Sequence, residues 1–190
     1  MATGISPDQI REAAVKAFSR NGYRGTNLGE VASELGVTRQ AIYYHYPNKH
    51  ALLFEMFHLF FEELRTAVKE VGDAESDPAV RFEKMLRAHV LRVIASSDLT
   101  SIFTREFESL DPDKQKLVRR WRQEYQRSFV AAFEEMVEAG GARPLPPGPT
   151  VSLVIGAANW TFRWYDPRRM DADDLVALLL GLVRDGYAPR

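Results

Sequence analysis

The sequence predicts an all-α protein, and three observations carry that expectation. Apolar residues recur at i, i+3, i+4 and i+7 in nearly every stretch between turn signals, the period of a helix with one buried side. No stretch shows the apolar/polar alternation of a half-buried strand. Helix-starting residues stand where the periodic stretches begin: Ser6-Pro7-Asp8-Gln9, Asn27 with Glu30, and Thr38. At 190 residues, the chain has room for a small domain followed by a larger one.

The elements follow in order. Ser6 is placed to cap a first helix, with proline at the first helical position and Gln9 at the capping-box position. Ile10, Ala13, Ala14, Ala17 and Phe18 form its apolar stripe, and it is expected to end near Asn21-Gly22. Asn27 and Glu30 have the form of a second capping box. Leu28, Val31, Ala32 and Leu35 give that helix its stripe, and Gly36 can take the left-handed conformation that ends it. Val37 should then face inward. Thr38 should cap a third helix that buries Ile42 and leaves Arg39, Gln40, Tyr43 and Tyr44 pointing elsewhere.

After Pro47-Asn48 a long helix is expected to about Val71. Leu52, Met56, Phe60, Leu64 and Val68 lie on one stripe, with Leu53, Phe57 and Phe61 beside it. Residues 72–78 read as a loop, followed by helices at about 78–96, 98–109, 112–139, 150–165 and 172–185. Leu117, Trp121, Tyr125, Phe129, Phe133 and Val137 are expected to form one stripe on the third of these. The proline- and glycine-rich segment 140–149 reads as a stiff connector that cannot continue a helix.

The last two helices are apolar almost all round. Val151, Val154, Ile155, Ala158 and Phe162 lie on one side of the first, and Leu153, Ala157, Trp160 and Trp164 on another. Leu175, Leu178, Leu179, Leu182 and Val183 do likewise in the final helix. In a chain this small, such helices call for a partner subunit, and a homodimer closed by a four-helix bundle would cover them.

Two short capped helices around a glycine turn, with long donors and phenols on the outer face, read as a helix-turn-helix that grips double-stranded DNA. Arg39 and Gln40 have the chemistry to pair with guanine and adenine edges. The hydroxyls of Tyr43 and Tyr44, together with His45 and Lys49, can reach phosphates. Residues 1–50 hold six Lys or Arg against four Asp or Glu, while the whole chain carries a net charge of −1. That excess is too modest for non-specific coating of nucleic acid, so binding must come from local geometry.

Other function classes find little support. There is no cysteine, hence no disulfide framework or thiolate metal site. His50 and His58 are too far apart on one helix to share a metal, and His89 stands alone on a mixed face, the pattern of a satisfied core or surface residue. Glu106 and Glu108, two apart on a helix, do not face each other, and no nucleophile with a positioned base is recognisable. No signal peptide or membrane span is found, so the expected location is the cytoplasm, without metal or cofactor.

The segment around the turn resembles the DNA-binding domain of the TetR family of bacterial transcription regulators. Asn27, Val31, Ala32, Gly36, Val37, Thr38, Ile42, Tyr43, His45, Tyr46, Lys49 and Leu52 fall in one register with that family's signature, with conservative changes at Asn27, Val31, Thr38, Ile42 and Tyr46. The resemblance implies an all-helical, homodimeric repressor controlled by a small-molecule effector and binding a palindromic operator. It implies a three-helix DNA-binding domain at 1–50 and a helical ligand-binding and dimerisation domain at 51–190. Carried over residue by residue, it makes Arg39 and Gln40 base readers and Ala41 a thymine-methyl contact. Thr26, Thr38, Tyr43, Tyr44, His45 and Lys49 complete the DNA-binding set, with Thr26 at a phosphate-contacting position.

The stretch Asn159 to Pro167, NWTFRWYDP, is similar to one found in TetR-type regulators of fatty-acid, phenylacetate and steroid-ring catabolism, several of which respond to acyl-CoA thioesters. On that resemblance Arg163 would meet a phosphate or carboxylate of the effector, beside Asn159, Trp160 and Trp164, and the helical stripes put Phe103, Trp121, Tyr125 and Trp160 forward as the lining of the acyl group. Two alternatives stay open. The tryptophans can be core or dimer packing with Arg163 paired to Asp166, and the protein can be an efflux-pump repressor sensing a lipophilic molecule.

Overall fold

The computed structural model describes residues 4–187. Among them are nine α-helices: α1 (Pro7–Gly25), α2 (Leu28–Glu34), α3 (Arg39–His45), α4 (Lys49–Asp73), α5 (Pro78–Ala95), α6 (Ser97–Glu106), α7 (Pro112–Glu138), α8 (Pro147–Trp160) and α9 (Ala172–Tyr187). Single 3-10 turns extend α6 through Ser109 and α8 through Arg163. No strand occurs among the described residues. The chain divides into two compact units, residues 1–60 with 98–118, and residues 61–97 with 119–190.

In the first unit the sequence signals act as expected. The Ser6 side chain accepts from Gln9 N, and the Gln9 side chain accepts from Ser6 N, closing the capping box. Regular helix in α1 breaks at Gly22 (φ 73°, ψ 157°), beside the expected end. At the start of α2, Asn27 Oδ1 accepts from Gly29 N and Glu30 N. Glu30 answers through the Asn27 side-chain amide instead of its backbone, so the reciprocal capping box is replaced by a one-sided cap. Helix α2 ends in a Schellman motif: Val37 N donates to Ala32 O at 3.0 Å and Gly36 N to Ser33 O at 3.2 Å, with Gly36 at φ 64°. Val37 is half-buried behind it. Ile10, Ala14, Phe18, Leu28, Val31, Ile42, Tyr46, Leu52, Leu53, Met56 and Phe57 fill the core. A polar tie runs beside it, with Arg11 Nη1 donating to Glu55 Oε1 at 2.7 Å and the Tyr46 hydroxyl to the same oxygen at 2.9 Å.

The second unit is a bundle in which α5 packs against α8 and α9. Phe82, Met85, Leu86, Val90 and Val93 of α5 meet a core that includes Phe129, Phe133, Met136, Val151, Ala158, Leu175 and Val176. Phe82 stands edge-on to Phe129 and Phe133 at 6.2 and 5.7 Å. Ion pairs fasten the rim: Arg81 with Glu135, Arg87 with Asp173, and Arg184 bidentate on Glu83.

Two expectations need correction here. On α7, Leu117 is exposed, and the buried face runs through Val118, Tyr125, Phe129, Ala132, Phe133 and Met136. A strict four-residue step advances about 400° on a helix and drifts about 40° each time, so a stripe extended over five steps cannot stay on one side. Helix α8 begins at Pro147, not Thr150. Prolines at 147 and 149 sit in the first turn, where their missing N–H groups have no helical partner to lose, and Thr150 N already donates to Pro146 O.

Candidate DNA-reading surface and effector site

Helix α3 is held from beneath by Ile42, which is fully buried, and presents the opposite face to solvent. Arg39 and Gln40 are exposed there, Tyr44 is 86% and Tyr43 50% exposed, and Ala41 and His45 are half-buried at the edge. Tyr44 and His45 meet edge to face at 5.2 Å. Thr38 is exposed, and its hydroxyl oxygen accepts from Ala41 N at 3.2 Å, which leaves the hydroxyl proton available to a phosphate.

Two of the expected DNA contacts are engaged within the protein. The Thr26 hydroxyl is buried and donates toward Gly22 O and Ala17 O at 2.8 and 3.2 Å, linking the break in α1 to the start of α2. Lys49 Nζ donates to Tyr23 O at 2.6 Å and Thr26 O at 2.7 Å and lies 4.3 Å over the Tyr23 ring. Burial pulls the Lys49 pKa down, against the opposing pull of Glu106 and Glu30. The lysine therefore staples the α1–α2 junction to the first turn of α4. Burial, with Glu106 and Asp111 nearby, pushes the Tyr23 phenol up to about 12.

Arg39 lies back on α2. A Cβ added at Gly29 would fall 2.5 Å from Arg39 Nε and 2.8 Å from its Cζ, so only glycine admits the guanidinium at that place. The arginine lines a polar groove with Asn21, Asn27, Glu30 and Ser33. It has no carboxylate partner among the described residues, whereas Arg11 and Arg20 are paired with Glu55 and Glu34.

The ligand residues expected from the sequence fall into separate groups. Phe103 belongs to the first unit, stacked on Phe57 at 4.0 Å. In the second unit, Trp121 is half-buried beside Phe61, and Tyr125 is buried against Phe129 at 5.4 Å. Trp160 and Trp164 are 57% and 53% exposed, and Arg163 sits 5.4 Å over the Trp160 ring. Asp166 is occupied by Arg168 and Arg169, so it does not serve Arg163 as an ion-pair partner.

The sequence missed the residue that joins two of these. His89 of α5 is fully buried, with Nδ1 2.8 Å from the Tyr125 hydroxyl. Burial is the main influence on its pKa, drawing it down to about 4, while the Asn159 side chain pulls the other way. Its place on the stripe of Phe82, Met85, Leu86 and Val93 was the signal that could have found it.

Family models decide the affiliation. Residues 10–56 match the model of bacterial regulatory proteins of the tetR family, and residues 75–187, more than half of the chain, match the tetracyclin repressor-like C-terminal domain. The chain belongs to the TetR family.

This TetR-family regulator is 22% identical over 193 residues to the transcriptional repressor KstR2 of Mycobacterium tuberculosis, covering 94% of the chain and 93% of that protein. The solved structure of KstR2, described as a ketosteroid transcriptional regulator, superposes with a TM-score of 0.88 at 19% identity, covering 100% of both chains. AibR, solved in complex with isovaleryl coenzyme A and operator DNA, superposes at 0.83 with 23% identity, covering 94% of this chain and 96% of that one. The uncharacterized regulator YuxN of Bacillus subtilis is 27% identical over 97 residues, covering 51% of this chain and only 33% of that protein. Both family models and these relatives are transcriptional regulators, and DNA-binding regulation, not catalysis, is the function of the family. Among the described residues no helix is long and apolar enough to cross a membrane.

Proposed function

We propose that this TetR-family protein is a homodimeric cytoplasmic repressor of a catabolic operon for fatty-acid, aromatic or steroid acyl-CoA substrates, released from its operator by an acyl-CoA thioester. The observation that carries the effector class is Arg163, an arginine without a carboxylate partner among the described residues, lying on the Trp160 indole at the end of α8. A guanidinium on an aromatic platform suits a phosphate or carboxylate group. AibR, of the same fold, is bound to isovaleryl coenzyme A.

The reading surface is α3. Arg39 and Gln40 read bases and Ala41 meets a thymine methyl. Thr38, Tyr43, Tyr44 and His45 contact the backbone. Lys49 and Thr26 support that surface from behind. A DNA-binding domain at 1–50 and a ligand-binding and dimerisation domain at 51–190 follow. The dimer face is the outer side of α8 and α9, where Leu153, Leu178 and Leu182 are between 48% and 76% exposed. Val183, also expected there, has a side chain outside the described set. Two-fold symmetry places two α3 helices about one duplex turn apart on a palindrome. Effector binding shifts the population through α4, which starts after α3 and continues unbroken to Asp73.

The test is selection of preferred sites from random duplex DNA by the purified protein, followed by release with a panel of acyl-CoA thioesters and the matching free acids. A palindrome released by particular thioesters, with release lost in Arg163→Ala while DNA binding persists, is the expected result. A palindrome released only by uncharged lipophilic compounds would replace this reading with that of an efflux-pump repressor.

A further inference from the structure

His89 carries a buried ring nitrogen that makes no hydrogen bond among the described residues. The side chain is 1% exposed, and among the described residues the buried Nε2 makes no hydrogen bond, the Asn159 side-chain amide lying near enough to raise the ring's pKa. The other ring nitrogen fixes what Nε2 is. Tyr125 is 7% exposed, and among the described residues its hydroxyl has one hydrogen-bond partner, His89 Nδ1 at 2.8 Å. A buried phenolic O–H requires an acceptor, so Tyr125 donates, Nδ1 accepts, and the single proton of the neutral ring sits on Nε2. His89 therefore holds a buried N–H donor in a fixed tautomer, oriented by a residue of a different helix. Such a donor is costly to leave unmatched, and native interiors rarely do so without a purpose.

The surroundings restrict what can meet it. Its polar neighbours Tyr125 and Asn159 are both uncharged, and the ring also meets Phe129 edge to face, centroid to centroid at 6.0 Å. A carboxylate or phosphate brought here would be buried without a cation and is excluded by its desolvation cost. A neutral carbonyl oxygen is not. We propose that His89 is the polar anchor of an effector site formed by α5, α7 and α8, its Nε2–H donating to a neutral carbonyl oxygen of the effector, with Tyr125 setting the tautomer. This rests on the thioester reading above and refines it: the thioester carbonyl is held by His89, while the charged part of the ligand is left to Arg163.

The experiment uses the full-length protein labelled with 15N-histidine. The probes are hexanoyl-CoA, isovaleryl-CoA, the thioether S-hexyl-CoA, which lacks the thioester carbonyl and keeps only the pantetheine amides, and the neutral ketone 2-octanone. The free protein is expected to show His89 as the Nε2–H tautomer. A probe with a thioester or ketone carbonyl should shift that resonance, and hexanoyl-CoA should bind at least about tenfold tighter than S-hexyl-CoA. His89→Phe should abolish that preference. Tyr125→Phe, the milder change, should reduce it by freeing the tautomer, and it serves if His89→Phe does not fold.

Binding of 2-octanone with the expected shift, and of no CoA compound, would discard the thioester reading and keep the anchor. Equal binding of thioester and thioether without movement of the resonance would discard the anchor and keep the thioester reading. The anchor is also overturned by an Nδ1–H tautomer, by a bound water that holds Nε2–H unchanged through every addition, or by a resonance that no probe moves.

Discussion

Lowering the pH should destabilise this protein through His89 in an amount that can be worked out beforehand. The folded chain holds the imidazole neutral with its pKa drawn down to about 4, whereas the unfolded chain titrates near the ordinary 6.5. A histidine depressed in this sense binds its proton more readily when unfolded. Its contribution is complete above about pH 6.5, declines as the pH falls toward 4, and is constant below. At about 1.4 kcal/mol per unit, the full loss is about 3 kcal/mol, of which about 2 kcal/mol has gone by pH 5. Carboxylates also titrate in this range, so the measurement is a difference. Urea unfolding of the wild type and of His89→Phe is compared at pH 8 and pH 5 at one protein concentration, because a dimer's midpoint depends on concentration. The wild type should lose about 2 kcal/mol more than the variant over that interval. A direct check follows the His89 ring resonances, which should not titrate above about pH 5. Titration near 6.5, or parallel losses in the two proteins, would refute the reasoning, because the ring would then have to be open to solvent.

Lys49→Ala should lower stability by about 1–3 kcal/mol through the loss of its hydrogen bonds to Tyr23 O and Thr26 O, read as a shift in urea midpoint. An unchanged midpoint with uniformly weaker DNA binding and a shallower salt slope would return this lysine to the phosphate contacts. Arg39→Ala should cost about 1–3 kcal/mol at particular base pairs, measured across single-base operator variants. Tyr44→Phe should weaken all of those variants alike, and the reverse pattern would exchange the two roles. Leu153→Asp combined with Leu182→Asp should yield monomers in sedimentation at micromolar concentration. A persisting dimer would move the interface away from the outer face of α8 and α9.

What was legible in the sequence was mainly local. Caps and terminators act within four residues of themselves, so Ser6, Thr38 and Gly36 announced their helix boundaries, and the stripe of α4 from Leu52 to Val68 was buried as its spacing required. The two-sided character of α8 was legible too, with Val151 and Ala158 inward and Leu153 and Trp160 outward. Contacts that depend on distant segments were less visible. Nothing near Lys49 in sequence says that it will reach Tyr23 O, 26 residues earlier, and a lysine after a recognition helix reads naturally as a phosphate contact. The pairing of His89 with Tyr125, 36 residues apart, depends on how α5 meets α7. The seat that Gly29 offers Arg39 is an absence of side chain, which no periodicity records.

That seat bears on how sharply an operator can be told from its near relatives. An arginine facing the wrong base normally leaves a stranded charge in the groove, and much of the penalty for a mismatch is the cost of having nowhere else to go. Arg39 has somewhere to go. With Gly29 beneath it the guanidinium can withdraw to α2, and if Arg39 reads a base and the tyrosines hold the backbone as proposed, that retreat would place a ceiling on the penalty at that base pair. The protein would then tolerate a family of related sites at that position. Filling the seat, as in Gly29→Ala, would narrow the tolerance by removing the retreat.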